Sequence, residues 1–159
     1  MPNERTLKVV LDSVIFISAF LARTKEGLSY NLFRLCITTG ILYTTDEILE
    51  EVRHVLMEKQ HIRGKYLYHD TEIEHFIDLV RENSIIVEPL VFPQVIERDP
   101  KDDMIVACAV AARADYIVSR DLDLLDLCKY QGIQIVSPEY FIHLLRDTEG
   151  QVRWNNQWK

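Results

Sequence analysis

An apolar, β-branched run that stops at a carboxylate limits what this chain can fold into. The run covers residues 7–11 and ends at Asp12, and the residues that follow, through Phe20, have the apolar content of a helix packed on a sheet. Strands that are apolar on both faces are typical of the centre of a parallel sheet. Asp12 is therefore predicted at the carboxyl end of a central strand, where open α/β sheets bind ligands. The alternative is that Asp12 only caps the helix that follows it.

Strand and helix patterns alternate along the rest of the chain. Short apolar strands are predicted at residues 7–12, 41–43, 84–87, 114–119 and 133–136, with helices between them. This alternation predicts a parallel, doubly wound sheet of about five strands. In such a sheet the carboxyl ends of the strands share one edge, so side chains that follow different strands are brought together there.

Local signals predict where several helices begin and end. Gly40 is predicted to end the second helix, because glycine readily adopts the left-handed conformation found there. Thr44 and Glu47 have the spacing of a capping box at the start of the third helix. Asp99 before Pro100 predicts another helix start, with Asp99 as the N-cap and proline in the first turn.

Length and composition predict one domain without a membrane segment. The chain has 159 residues and 48% hydrophobic content, enough for a single core over residues 1–150, followed by a polar and flexible tail at 151–159. No apolar run approaches the roughly 20 residues that span a bilayer. Residues 1–5 carry no apolar signal segment, so we expect a cytoplasmic protein.

Charge and cysteine content exclude some classes of protein. The net charge of −7 argues against a general polyanion binder, although carboxylates gathered around metal ions would contribute to the same charge. The three cysteines are Cys36, Cys108 and Cys128, which are widely spaced in apolar contexts. They are predicted to be buried free thiols in a reducing compartment, rather than a disulfide framework or a zinc site.

Four acidic residues are predicted at the carboxyl edge of the sheet: Asp12, Glu51, Asp102 and Asp121. In the third helix, a rotation of about 100° per residue places Glu51 beside the apolar stripe and Glu50 nearly opposite it. Each acid taken alone could be a cap or a first-turn acid. Crowded carboxylates, however, raise one another's pKa unless a cation neutralises them. Mg²⁺ and Mn²⁺ favour oxygen ligands, and two ions about 4 Å apart can activate water and stabilise the leaving oxygen of a phosphodiester.

Basic and aromatic residues are concentrated at 59–69 in an otherwise acidic chain. One interpretation is a surface that contacts RNA through Arg63, Lys65 and Tyr66. The other is an ordinary solvated loop. Arg120, next to Asp121, is a further candidate for contact with RNA.

Four segments together resemble a PIN domain, and most closely the VapC-like toxin components of prokaryotic toxin–antitoxin pairs. The segments are VLDS at 10–13, EVRHVL at 51–56, DPKDD at 99–103 and ADYIVSRDLD at 114–123. Each is short and acidic, and their order and spacing carry the resemblance, which runs from about Lys8 to about Leu144. It implies an α/β fold, a three-layer α/β/α sandwich with a central, parallel, roughly five-stranded sheet.

The resemblance also implies a function. It implies an endoribonuclease that depends on one or two Mg²⁺ or Mn²⁺ ions and leaves a 5′-phosphate and a 3′-hydroxyl. The catalytic and metal-binding acids would be Asp12, Glu51, Asp102 and Asp121, with Asp123 as an extra ligand. The implied partners are RNA, a small antitoxin protein and a second copy of the chain in a homodimer.

One position departs from the family pattern. After its first Asp the family usually has Thr or Ser and then Asn, whereas this chain has Ser13 and then Val14. Ser13 is assigned a supporting role, but valine cannot replace the hydrogen bonds of the amide. The alternative function is therefore a catalytically impaired module that binds RNA or a protein. Val14 also argues against a phosphatase of the haloacid dehalogenase type, which needs an aspartate at that position.

Overall fold

A computed structural model of the chain describes residues 6–93 and 100–146. Its strands form one six-stranded sheet in the order β3-β2-β1-β4-β6-β5. The strands are β1 (Val9–Leu11), β2 (Leu42–Thr44), β3 (Ile85–Ile86), β4 (Tyr116–Val118), β5 (Lys129–Tyr130) and β6 (Ile133–Val136). All neighbours pair in parallel except β5, which is antiparallel to β6. The predicted α/β class with a parallel central sheet is confirmed, and β5 is a short addition that the sequence patterns did not predict.

Eight helical segments surround the sheet within the described ranges. They are α1 (Ser13–Leu21), α2 (Leu28–Thr39), α3 (Asp46–Glu58), α4 (Gln60–Lys65), α5 (Asp70–Glu82), α6 (Pro100–Ala112), α7 (Leu122–Leu127) and α8 (138–146). None of the helices in the described ranges is long and apolar enough to cross a membrane.

Strand β1 lies inside the sheet and is fully buried. Val9, Val10 and Leu11 each have 0% exposure, although successive side chains of a strand point to opposite faces. Both faces of β1 are therefore covered, which explains why its sequence is continuously apolar. Helix α6 packs on β1, β2 and β4, and its buried apolar residues are small or β-branched, which allows close approach to the sheet.

The direction in which strands are added to the sheet changes at β1. From β1 the chain adds β2 and β3 on one side, and then returns to add β4 and β6 on the other. Leu11 pairs with Val118, and the ladder continues through the Asp12 N–H to the Val118 carbonyl at 3.0 Å. Asp12 and Ser119 therefore lie side by side, just beyond the ends of β1 and β4. Ligands of open α/β sheets bind at such a switch point.

The helix ends partly match the sequence predictions. Gly40 ends α2 with φ of 69°, as predicted, and α6 begins at Pro100. The prediction that Thr44 caps α3 is wrong, because β2 extends through Thr44 and the cap is Thr45, whose hydroxyl accepts from the Ile48 N–H at 3.1 Å. The predicted cap Asp99 and the tail 151–159 lie outside the described residues.

The cysteine prediction is correct for two of the three thiols. All three are free, and Cys36 and Cys108 are buried, but Cys128 is exposed. Cys128 ends α7 at a turn with φ of 62°, and its sulfur lies 3.3 Å from the Leu125 carbonyl. Its apolar neighbours in the sequence therefore do not enclose it.

Candidate metal centre

Three carboxylates converge beyond the carboxyl edge of the sheet. Asp102, Asp121 and Asp123 each offer one oxygen, and these oxygens lie within 4.8 Å of one another. Asp102 belongs to the first turn of α6 and is only 4% exposed, whereas Asp121 and Asp123 are half-buried at the start of α7. We call these three residues the acidic trio. Residues far apart in the sequence thus reach one place because α6 and α7 begin at the same edge of the sheet.

Asp121 is held in a defined orientation by its position as the N-cap of α7. Its Oδ1 accepts hydrogen bonds from the Asp123 N–H at 2.8 Å and the Leu124 N–H at 3.3 Å. The cap and the cluster are therefore compatible explanations for this residue, since capping fixes the carboxylate that faces the other two acids.

Asp12 lies beside the acidic trio and is 5% exposed. It occupies the N-cap position of α1, but its side chain makes no capping hydrogen bond. Instead, Oδ2 accepts from the Ser119 hydroxyl at 2.7 Å and Oδ1 from the Ser13 hydroxyl at 3.3 Å. The shortest hydrogen bond of the side chain is thus with Ser119 at the switch point, rather than with the start of α1.

Burial raises the pKa of Asp12 above the ordinary aspartate value of 3.8. The hydrogen bonds from Ser119 and Ser13 partly oppose this shift, and the negative charge of Asp121 adds to it. The ionised form is therefore less favourable in the folded protein than in the unfolded chain.

In EDTA, we expect the melting temperature of Asp12→Asn to rise relative to that of the unmodified chain as the pH increases above 3.8. A carboxyl group with a raised folded pKa contributes stability that is fully present below its unfolded pKa and is lost as the pH rises through the folded value. Asparagine has no such loss. Melting curves of both proteins across a series of pH values measure the difference, and a difference that is independent of pH would contradict the assignment.

Glu51 lies next to α6 but is not in the acidic trio. Its Oε1 is 2.8 Å from the ammonium group of Lys101, the residue before Asp102, and its side chain is 17% exposed. Glu50 is 59% exposed and pairs with Arg53 at 2.7 Å. The inward placement of Glu51 relative to Glu50 matches the helical-wheel prediction. The pairing with Lys101 was not predicted.

The basic and aromatic run folds as the short helix α4 over Gln60–Lys65, and residues 66–69 after it are not helical. Arg63 pairs with Asp70 at 2.7 Å and lies 5.2 Å from the centre of the Tyr68 ring, so it ties α4 to the start of α5. Lys65 is exposed and lies 5.6 Å from the centre of the half-buried ring of Tyr66. This part of the surface therefore combines a structural arginine with an exposed lysine.

Arg120 also has a partner within the chain. Its guanidinium is 2.7 Å from Glu139 at the start of α8. The backbone N–H of Glu139 and the Arg120 side chain both help to hold the pKa of Glu139 below its usual range, so the pair stays charged at neutral pH. Arg120, which directly precedes Asp121, is therefore linked to α8.

Ser119 is the site residue that the sequence analysis missed. It is fully buried, and its hydroxyl contacts both Asp12 and the backbone N–H of Asp121, at 2.7 and 2.9 Å. The sequence contained one signal, a small polar residue at the end of an otherwise apolar strand. That signal has a meaning only when the pairing of β4 with β1 is known.

A comparison with models of protein families matches residues 8–123 to the PIN domain. The match covers more than half of the chain. The chain belongs to the PIN-domain family. No curated protein matches the chain significantly. The PIN-domain match includes Asp12, Glu51 and all three members of the acidic trio, and it confirms the family resemblance while leaving the toxin group untested. PIN domains are commonly metal-dependent nucleases.

The acidic trio of this PIN domain fits a divalent ion by the chemistry of its donors. Carboxylate oxygens are the ligands that Mg²⁺ and Mn²⁺ favour. Ligands of one octahedral ion with bonds of about 2.1 Å lie about 3.0 to 4.2 Å apart, so oxygens within 4.8 Å of one another would move inward to bind a single ion.

Proposed function

We propose that this PIN domain is an endoribonuclease that hydrolyses RNA phosphodiester bonds with Mg²⁺ or Mn²⁺. The observation that carries the proposal is the acidic trio at the sheet's switch point in a chain that belongs to the PIN-domain family. The proposed catalytic residues are Asp12, Glu51, Asp102 and Asp121. Asp123 is proposed as an additional metal ligand.

In this proposal Asp102, Asp121 and Asp123 hold one or two ions, with Asp12 and Glu51 at the margin of the site. A bound divalent ion supplies activated water and stabilises charge on the phosphodiester oxygens. The protein contributes order, because the α7 cap fixes Asp121 and two hydroxyls fix Asp12. Such preorganisation avoids rearrangement of the carboxylates during the reaction. We propose that RNA contacts the exposed Lys65 and the neighbouring Tyr66. Two further contacts are proposed at Arg63 and Arg120, once their ion pairs open.

Cleavage of end-labelled RNA, structured and unstructured, tests this function. We expect cleavage with Mg²⁺ or Mn²⁺, little with Ca²⁺, which favours looser and higher coordination, and none in EDTA. Full activity in EDTA after exhaustive dialysis would contradict a metal-dependent mechanism. RNA binding without cleavage under any metal would favour the impaired binding module.

We also propose that the nuclease is the toxin of a toxin–antitoxin pair, acting in the cytoplasm as a homodimer. This proposal is supported by the resemblance of the four acidic segments to VapC-like proteins. Expression in bacterial cells should stop growth, whereas the Asp121→Asn variant should not. Equal growth with both proteins would contradict the toxin role, and the molar mass in solution tests the dimer.

Val14→Asn should leave stability nearly unchanged and should maintain or raise turnover. Val14 is 47% exposed in the first turn of α1, so an amide there stays in contact with water and adds no burial cost. A surface change of this kind is usually within about 0.5 kcal/mol. Melting temperature and cleavage rate measure the two effects. A folded variant with clearly lower turnover would mean that valine itself is needed at this position in the first turn of α1.

A further inference from the structure

We infer that Ser119 is a positioning residue of the metal centre, whose hydroxyl sets Asp12 and Asp121 in one arrangement before any ion binds. The inference rests on the proposed metal-dependent function. It adds a residue that touches neither the metal nor the RNA in that function. It also adds a physical reason why two acidic residues, Asp12 and Asp121, are held close together.

The direction of both hydrogen bonds of Ser119 is fixed by chemistry. The backbone N–H of Asp121 can only donate, so the Ser119 oxygen accepts at 2.9 Å. The single hydroxyl proton is then available for Oδ2 of Asp12, which accepts at 2.7 Å. While Asp12 is ionised it has no proton to give, so in that state the pattern cannot be reversed. One hydroxyl therefore connects the two aspartates, since it accepts from the backbone of Asp121 and donates to the side chain of Asp12.

The backbone on both sides of this connection is anchored in the sheet. The Ser119 N–H donates to the Val136 carbonyl at 3.1 Å, and the Asp12 N–H donates to the Val118 carbonyl at 3.0 Å. Ser119 is thus bound to β6 on one side, while Asp12 is bound to β4. With 0% exposure, Ser119 is shielded from bulk solvent. The connection joins the ends of two paired strands, so the pairing of the strands fixes the positions of the two aspartates.

The same hydroxyl holds the acids against their repulsion. Asp12 and Asp121 both contact the same hydroxyl, so their like charges repel each other when both are ionised. A hydrogen bond to a charged group is stronger than one between neutral groups. Without the hydroxyl, Oδ2 of Asp12 and the N–H of Asp121 would both lose a partner. We expect them to separate, so that binding an ion would first require the site to be reassembled.

A purely structural role makes a different prediction from a positioning role. If Ser119 only satisfied buried groups, its removal would lower the melting temperature and leave the metal affinity of the folded protein unchanged. Thr44 provides a matched control, because it ends the neighbouring strand β2, is fully buried, and its hydroxyl finds no hydrogen-bond partner within the described residues. Thr44→Val therefore removes a buried hydroxyl that holds no acid.

The experiment measures Mn²⁺ binding by calorimetry, and RNA cleavage at saturating Mn²⁺, for the full chain and its variants. Ser119→Ala should weaken Mn²⁺ binding by about 10-fold to 100-fold, the usual effect of removing a group that orients a metal ligand. Its kcat should fall while KM for RNA stays unchanged, because the buried hydroxyl does not reach the substrate. Ser119→Thr, which keeps the hydroxyl, should restore affinity relative to alanine, and Thr44→Val should match the unmodified chain.

Three results would overturn the inference, and they are distinguishable. If the unmodified chain binds no Mn²⁺, the proposed function fails together with the inference. If it binds Mn²⁺ and folded Ser119→Ala binds equally well, only the role of Ser119 fails. If the alanine variant does not fold, Ser119→Cys decides, because a thiol of similar shape is a weak donor and acceptor. Unchanged Mn²⁺ affinity in Ser119→Cys would then overturn the inference, and weakened affinity would support it.

Discussion

Asp121→Asn should lower Mn²⁺ affinity and RNA cleavage by at least about 100-fold, more than is typical for groups that only orient a ligand. Asparagine is as good an N-cap as aspartate, so its side-chain oxygen can still accept from the N–H groups of Asp123 and Leu124. The substitution therefore removes the charge of one member of the acidic trio while keeping the start of α7. The melting temperature in EDTA should stay the same or rise, because repulsion with Asp12 and the other acids is removed.

Asp126→Asn is the matched control for this experiment. Asp126 lies on the same short helix, carries the same charge, is exposed and is outside the acidic trio. We expect it to retain both Mn²⁺ binding and cleavage. Equal retention in folded Asp121→Asn would remove Asp121 from the site and leave it as a helix cap.

Glu51→Gln should reduce cleavage by about 10-fold or more, whereas Glu50→Gln should have little effect. The two glutamates are neighbours on α3, but Glu51 is directed towards the start of α6, where it meets Lys101 at 2.8 Å, and Glu50 faces solvent. Loss of the ion pair with Lys101 should cost little stability, because exposed pairs contribute about 0–1 kcal/mol. The lost activity would therefore reflect the site and not the fold.

Cleavage rates and melting curves of the two glutamine variants separate these effects. Full activity in both folded variants would mean that Glu51 serves only to bind Lys101. A comparable drop in both would point to the charge of the whole helix face, since only Glu51 is close to α6.

Local patterns in the sequence predicted the main features of the fold. The continuous apolar run at 7–11 predicted β1 because a strand buried on both faces needs no polar residues. The wheel separated Glu50 from Glu51 because helical geometry is set within a few residues. Asp12 was predicted at the carboxyl end of β1 for the same local reason, and its place beside Ser119 follows from the pairing with β4.

The features that were missed depend on contacts between distant parts of the chain. Ser119 gained a role only through the register of β1 and β4, which its own neighbours in the sequence do not determine. Lys101 meets Glu51 because α3 and α6 come together, 50 residues apart in the sequence. Thr44 and Thr45 are adjacent and both can cap a helix, so the extent of strand pairing decided between them. The exposure of Cys128 depended on a turn with positive φ that apolar neighbours do not predict.

The chemistry of the RNA ends provides the most direct test of the central claim that this PIN domain is a metal-dependent hydrolase. RNA cut by the full chain in Mn²⁺ should carry a 5′-phosphate and a 3′-hydroxyl, because water and not the neighbouring 2′-hydroxyl is the proposed nucleophile. The cut should disappear in EDTA and in Asp121→Asn. Ends with a 2′,3′-cyclic phosphate, or cleavage that persists in both controls, would contradict the claim.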